Sequence, residues 1–319
     1  MNQNAEEDRK QAGWEQDLLK RFAFEVLKEQ RASRRWGIFF KLLLTLYLLG
    51  ALAVGMGLGS GGDSSFSSAS KITAVVKLDG VIGPELPASA ENVNKGLRAA
   101  FEDSRTAAVV IRINSPGGSP VQSGQINDEI YRLKQKHPGI KVYAAIEDIC
   151  ASGAYYVAAA ADEIYADKGS IVGSIGVRMD GFGFVDAISR LGVERRLLTA
   201  GEHKGFLDPF LPVKEQEQKH ISTMLGEIHQ QFINTVKKGR RDRLKDGVDL
   251  FNGFVWTGER SLELGLVDAL GSVDFVAREV VKADNLVDFT PKQSVFEQVG
   301  RRFGSQLGAS IKQSLAEIW

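Results

Sequence analysis

Apolar residues run almost without a break from Trp36 to Gly59, as WGIFFKLLLTLYLLGALAVGMGLG. A helix of that length reaches across a bilayer, and Lys41 near one end can extend its amine to the headgroups. Upstream, Trp14, Leu18, Phe22 and Val26 recur at helical spacing. That spacing fits either a short helix on the inner membrane surface or a partly ordered tail. Downstream, GSGGDSSFSSASK reads as a flexible Gly/Ser linker. After residue 71 the pattern changes. ITAVVKL (72–78), AAVVIRI (107–113) and KVYAAI (141–146) are short and apolar, as strands buried in a sheet are. EIYA (163–166) and VERRLL (193–198) are shorter strand candidates. Helical stretches at 89–103, 120–136, 152–161 and 181–191 alternate with them. This alternation predicts an α/β fold, with parallel or mixed strands joined by crossover helices. Residues 213–239 predict one long helix striped by Ile221, Met224, Leu225, Ile228, Phe232 and Val236. Two further helices separated by a glycine turn follow in TGERSLELGLVDALGSVDFVAREVVK. Near the C-terminus, Phe296, Val299, Phe303, Leu307, Ile311, Leu315 and Ile318 share one helical face.

Charge gives the apolar run a direction. Lys28, Arg31, Arg34 and Arg35 precede it, and no lysine follows it until Lys71. The positive-inside rule places the N-terminal side in the cytoplasm and the rest outside. The charged tail is long for the n-region of a cleaved signal peptide, and no AxA site follows cleanly, so an uncleaved signal anchor is expected. The expected organisation is a cytoplasmic tail (1–36), a transmembrane anchor (37–58), a linker (59–71), a soluble domain (72–288) and a C-terminal amphipathic helix (289–319). Lys plus Arg and Asp plus Glu balance at 40 each, so no global basic field points to nucleic acid. Cys150 is the only cysteine, which excludes an intrachain disulfide and a cysteine zinc site within one chain. His137, His203, His220 and His229 are scattered without an HExxH pattern, so no metal is expected.

Two glycine-bearing turns follow predicted strands. In INSPGGSP (113–120), consecutive N–H groups of a Pro-Gly-Gly turn can face one concavity and hold an anion; the plainer reading is a strand-to-helix turn. The second is CASGAYYVAAAAD (150–162), where Ser152 and Gly153 open a helix of small residues. Ser152 can be an N-cap or a nucleophile beside an oxyanion-stabilising helix N-terminus. Cys150 and Ala154 occupy the outer positions where a GxSxG elbow has glycine. A nucleophilic serine needs a base. His203 and Lys204 lie together in LLTAGEHKGFLDPF. A lysine acts as a base only when neutral, so its ordinary pKa of about 10.4 must be lowered by desolvation or positive charge. Between these stretches, GSIVGSIGV (169–177) carries Ser170 and Ser174, suited to holding an amine or to close packing of a glycine-rich strand.

The four stretches, in this order and spacing, resemble the signal peptide peptidase A (protease IV) family of membrane-anchored serine proteases, in its short, single-domain form. The resemblance covers roughly residues 72–285. It implies a fold similar to Clp protease and crotonase, with repeated ββα units, and a Ser/Lys dyad without a cofactor. Ser152 matches the nucleophile, Lys204 the general base and Ser174 the serine that orients the lysine. Gly118, with Gly153, matches the oxyanion hole; Gly117 is the alternative to Gly118. Ala154 stands where many relatives carry glycine, which narrows the site there. The resemblance also implies remnant signal peptides and other apolar peptides as substrates, and a homo-oligomeric ring at a bacterial-type inner membrane. The catalytic domain would face the periplasmic side. Ser152 and Lys204 are 52 residues apart, which leaves open whether they pair within one subunit or between two. Two rival readings are a crotonase-type enzyme that stabilises an acyl-CoA enolate and a catalytically idle membrane scaffold.

Overall fold

The computed structural model describes residues 36–51 and 70–292. The expected tail, the linker up to residue 69, the end of the apolar run and the C-terminal helix beyond 292 lie outside the described residues. A helix, α1, covers 36–51, and its side chains are exposed. Among the described residues no helix is long and apolar enough to cross a membrane. The α1 helix and the body from residue 70 onward belong to separate units.

The body is an α/β structure built on one eight-stranded sheet. In chain order its elements are β1 (Ile72–Asp79), α2 (Ala90–Glu102), β2 (Thr106–Ser115), α3 (Pro120–Lys136) and β3 (Lys141–Ala151). Next come α4 (Gly153–Ala158), β4 (Glu163–Ala166), β5 (Ile171–Gly173), α5 (Val185–Arg190) and α6 (Glu215–Arg240). The chain closes with β6 (Val255–Thr257), α7 (Gly258–Glu263), β7 (Ala269–Leu270), α8 (Val273–Phe275, continuing as a π-turn over Val276–Val281) and β8 (Leu286–Asp288). The main path of the sheet runs β6-β5-β3-β2-β1-β8, and β4 and β7 branch from β3. Every pairing is parallel except β5 with β6.

The central strands are apolar because helices cover one face and α8 covers part of the other. Val109, Ile111 and Ile113 of β2 pack with Leu97 and Phe101 of α2 and Ile126, Ile130 and Leu133 of α3. On the opposite face, Val110, Tyr143, Ala145 and Tyr165 pack against Val276 and Phe275. Capping sets the helix starts. The Ser89 hydroxyl accepts the Asn92 N–H at 3.3 Å at the start of α2, and the Ser119 hydroxyl accepts the Gln122 N–H at 3.4 Å, with Pro120 opening α3.

Strand β3 positions the site. It is 11 residues long and serves two neighbours in turn. Tyr143–Ile146 pair with β4, and Ile149–Ala151 pair with β5. The chain then turns directly into α4, whose Ala154, Val157 and Ala158 are fully buried. Their small volume lets α6 approach: a Cβ on Gly239 would collide with the Ala159 carbonyl. The Tyr155 hydroxyl donates to the Leu266 carbonyl at 2.7 Å and anchors α4 from below. A buried ion pair holds α6 in place. Arg240, 1% exposed, makes bonds of 2.7 and 2.9 Å to Asp268, and Arg243 joins at 2.9 Å. These guanidiniums and the Ile164 N–H outweigh burial and keep the Asp268 carboxyl below its usual range.

Three expectations change. VERRLL (193–198) is not a strand; it is irregular and exposed, and among the described residues no strand pairs with it to complete a ladder. The helix expected at 181–191 contracts to Val185–Arg190, and the helix expected at 152–161 ends at Ala158. The whole stretch from Arg178 to Lys214 is largely exposed, with Phe182 at 81%, Leu191 at 77% and Leu198 at 96%.

Candidate active site

Ser152 stands at the junction of β3 and α4 with φ 54° and ψ −124°. This backbone region strongly favours glycine, and a serine held there stores about 1–3 kcal/mol of strain. Two backbone bonds impose it: the Ser152 N–H donates to the Gly173 carbonyl at 2.9 Å, and its carbonyl accepts the Tyr156 N–H at 3.1 Å. The side chain makes no capping bond to its helix, unlike those of Ser89 and Ser119. Among the described residues the Ser152 hydroxyl has no hydrogen-bond partner within the chain. The serine is therefore not a cap.

Strand register brings a second serine alongside. Ala151 pairs with Gly173, so Ser152 and Ser174 are the next residues at neighbouring strand ends. Adjacent strands lie about 4.8 Å apart. Ser174 also has a positive φ, 52°, and its N–H donates to the Phe254 carbonyl at 2.8 Å.

The Pro-Gly-Gly turn leans onto Ser152 from the other side. Gly117 has φ 93°, and a Cβ there would sit 2.6 Å from the Ala151 carbonyl oxygen and 2.8 Å from the Ser152 Cβ. Glycine is required for both reasons. Gly117→Ala should cost about 2–4 kcal/mol of stability and most of any activity at Ser152, by denaturant melts and peptide assays. The two glycines differ in their amides. The Gly117 N–H donates to the Ser115 hydroxyl at 3.1 Å. The Gly118 N–H has no partner among the described residues and lies 3.3 Å from where a Gly153 Cβ would be. Ile82 fixes the turn through Ile82 N–H to the Gly117 carbonyl (2.9 Å) and Ser119 N–H to the Ile82 carbonyl (2.8 Å). The Gly153 N–H, at the start of α4, is likewise unpaired among the described residues.

These parts line one cavity of about 740 Å³: Gly118, Ser152, Gly153 and Ser174 meet there. Tyr156, Ile228 and Phe232 form an apolar wall, and Arg178, Gln231 and Asn252 are polar neighbours. Sequence reasoning saw Ile228 and Phe232 only as a helical stripe and missed Tyr156 and Asn252 as lining residues. Their signal lies in the packing of α6 over α4. The Thr235 hydroxyl donates to the Tyr156 hydroxyl at 2.9 Å, and the Tyr156 and Phe232 rings are 5.2 Å apart.

Lys204 is not in this cavity. It lies on an exposed turn within the protruding segment. No histidine lines the cavity either; His229 instead contacts the Ile175 carbonyl at 3.3 Å. Cys150 is fully buried, and burial pushes its thiol up into the neutral form. Ser170 is consumed structurally, donating to the Glu147 carbonyl and accepting the Asp167 N–H at 3.0 Å. Among the described residues no cluster suited to a metal ion occurs. The cavity thus offers two unbonded hydroxyls and two open backbone N–H groups. That set can attack and stabilise an acyl group once a base is supplied.

Comparison with known proteins places this arrangement. The model of peptidase family S49 matches residues 134–287. A candidate protease of Methanocaldococcus jannaschii is 31% identical over 219 residues, covering 68% of this chain and 70% of that one. Protease 4 of Haemophilus influenzae is 32% identical over 219 residues, 67% of this chain and 35% of the relative. A Brucella melitensis protein named as the Na(+)/H(+) antiporter NhaA is 48% identical over 177 residues, 56% of this chain but only 24% of that protein's length. Ser152, Gly153 and Ser174 fall inside the matched residues, and the chain belongs to the S49, or signal peptide peptidase A, family of peptidases.

Proposed function

We propose that the chain is a serine endopeptidase of apolar peptides, including remnant signal peptides, acting through Ser152 and Lys204. The observation that carries this reading is Ser152 itself: a strained, uncapped serine beside the unpaired N–H groups of Gly118 and Gly153. The Ser152 hydroxyl attacks a peptide carbonyl as neutral Lys204 takes its proton. The two N–H groups hold the oxyanion, each worth about 3 kcal/mol. The lysine returns the proton to the leaving amine, and water then hydrolyses the acyl-enzyme. Ser174, beside Ser152, orients the lysine amine. The fold assigned to this activity is the Clp protease/crotonase type, and no cofactor takes part.

Lys204 reaches the cavity from a second copy of the chain, within a homo-oligomeric ring. Two features support this. Lys204 does not line its own chain's cavity, and its segment exposes Phe182, Leu191 and Leu198, an apolar surface fit for burial against a neighbour. The apolar run from Trp36 anchors the chain in the inner membrane, with residues 1–36 in the cytoplasm and the catalytic domain on the extracytoplasmic side. The wall of Tyr156, Ile228 and Phe232 suits apolar side chains. The test is direct. The full chain in detergent should cleave apolar peptides and should not process acyl-CoA. Acyl-CoA binding without peptide cleavage would favour the crotonase-type reading instead.

A further inference from the structure

We propose that Glu217 positions the Lys204 turn by holding its neighbour His203; this rests on Lys204 being the base. The turn is loosely built. It carries short-range backbone bonds, Lys204 N–H to the Gly201 carbonyl and Phe206 N–H to the His203 carbonyl, each 3.1 Å. Gly201 (φ 101°) and Leu207 (φ 60°) bound it in left-handed conformations. Its surroundings are exposed. A base that loose is poorly aimed, since catalytic groups must be held within about 0.5 Å of their working geometry.

Beneath the turn lies a small cavity of about 200 Å³, whose lining includes Glu202, Gly205, Asp208, Lys214 and Glu217. Glu217 is the unusual member. It sits in the first turn of α6 yet is 7% exposed, while Glu215 in the same turn is exposed. A first-turn acid needs only to face the helix N-terminus, and Glu215 meets that need from solvent. Burying a second carboxylate is costly unless cations face it. The Lys214 amine does, at 3.6 Å, and the His203 Nδ1 lies 3.9 Å from the same carboxylate oxygen. Lys214 is two-thirds exposed and stands at the N-cap of the same helix, three residues before Glu217. His203 instead comes from the lysine turn, so its contact is the one that ties that turn to α6. Glu202 faces the other ring nitrogen at 4.0 Å, and Asp208 is engaged by Arg195 at 3.0 Å. Helix α6 also carries Ile228 and Phe232 of the cavity wall, 11 residues beyond Glu217 in the case of Ile228. The strut therefore fixes the base-bearing turn to a long helix of its own chain, and it is this combined element that meets the neighbouring copy.

The test compares Glu217→Ala, Glu217→Gln, His203→Gln and the double variant Glu217→Gln/His203→Gln with the parent and with Lys204→Ala, all as full chains. Each strut variant should lower kcat roughly 5- to 20-fold and leave KM within about twofold, the pattern of a misplaced base rather than a damaged binding wall. The double variant should be no worse than the poorer single, because both remove one contact. His203→Lys, which places a cation facing Glu217, should recover most of the rate. Amides 201–207 should exchange faster in Glu217→Gln. If Glu217→Ala does not fold, the two glutamine variants decide. Parent kcat in both glutamine variants, with Lys204→Ala inactive, would overturn the strut alone. Parent activity in Lys204→Ala would instead overturn the base assignment beneath it.

Discussion

Ser152→Ala should lose peptide hydrolysis by about four to six orders of magnitude in kcat, because removing a nucleophile that acts as one unit with its base leaves only binding and oxyanion stabilisation. The same position gives a second, opposite readout. At φ 54° and ψ −124°, alanine suffers the same backbone strain as serine, while glycine does not. Ser152→Gly should therefore be more stable than Ser152→Ala by about 1–2 kcal/mol in denaturant melts, with both variants inactive. A serine there for packing or capping would show no such pairing of lost activity with relieved strain. Parent-like turnover in either variant would show that the nucleophile lies elsewhere.

The second large effect concerns Lys204. Lys204→Ala alone should be as inactive as Ser152→Ala, although the cavity beside Ser152 in the same chain does not include Lys204. The two inactive variants should then rescue each other. If each site takes its serine from one copy and its lysine from another, random reassembly of an equal mixture leaves about one site in four intact. Dissociating the variants, mixing them and assaying after reassembly should return about a quarter of the parent rate. No recovery, with mixed assembly shown by mass, would require Lys204 to swing into its own chain's cavity.

Much of this arrangement was legible in the sequence where a local signal was strong. The span 120–136 was readable because Ser119-Pro120 opens α3 and His137-Pro138 closes it. KVYAAI marked the first half of β3, but its extension to Ala151 depends on β5, a three-residue strand that pattern alone read equally as a turn. Strands β6, β7 and β8 are two or three residues long, too short for periodicity to register. VERRLL is a short stretch with Val193, Leu197 and Leu198 apolar, yet a strand exists only where a partner edge does. At the site, motif order brought Ser152, Ser174, Gly118, Gly153 and Lys204 forward together. It left Gly117 and Gly118 unresolved, since their difference is a single bond from the Gly117 N–H to the Ser115 hydroxyl. It also could not read the separation of Lys204 from Ser152, because the path of residues 178–214 is set by tertiary contacts. Glu217 was hidden for the same reason: its burial is visible only in three dimensions.

The central claim is that Ser152 forms the acyl-enzyme. The most direct measurement treats the full chain with an apolar peptidyl fluorophosphonate and locates the adduct by peptide mass spectrometry. The account predicts one stoichiometric adduct per active site, on Ser152, formed much more slowly in Lys204→Ala. An adduct on another residue, or labelling of Ser152→Ala at the parent rate, would contradict it.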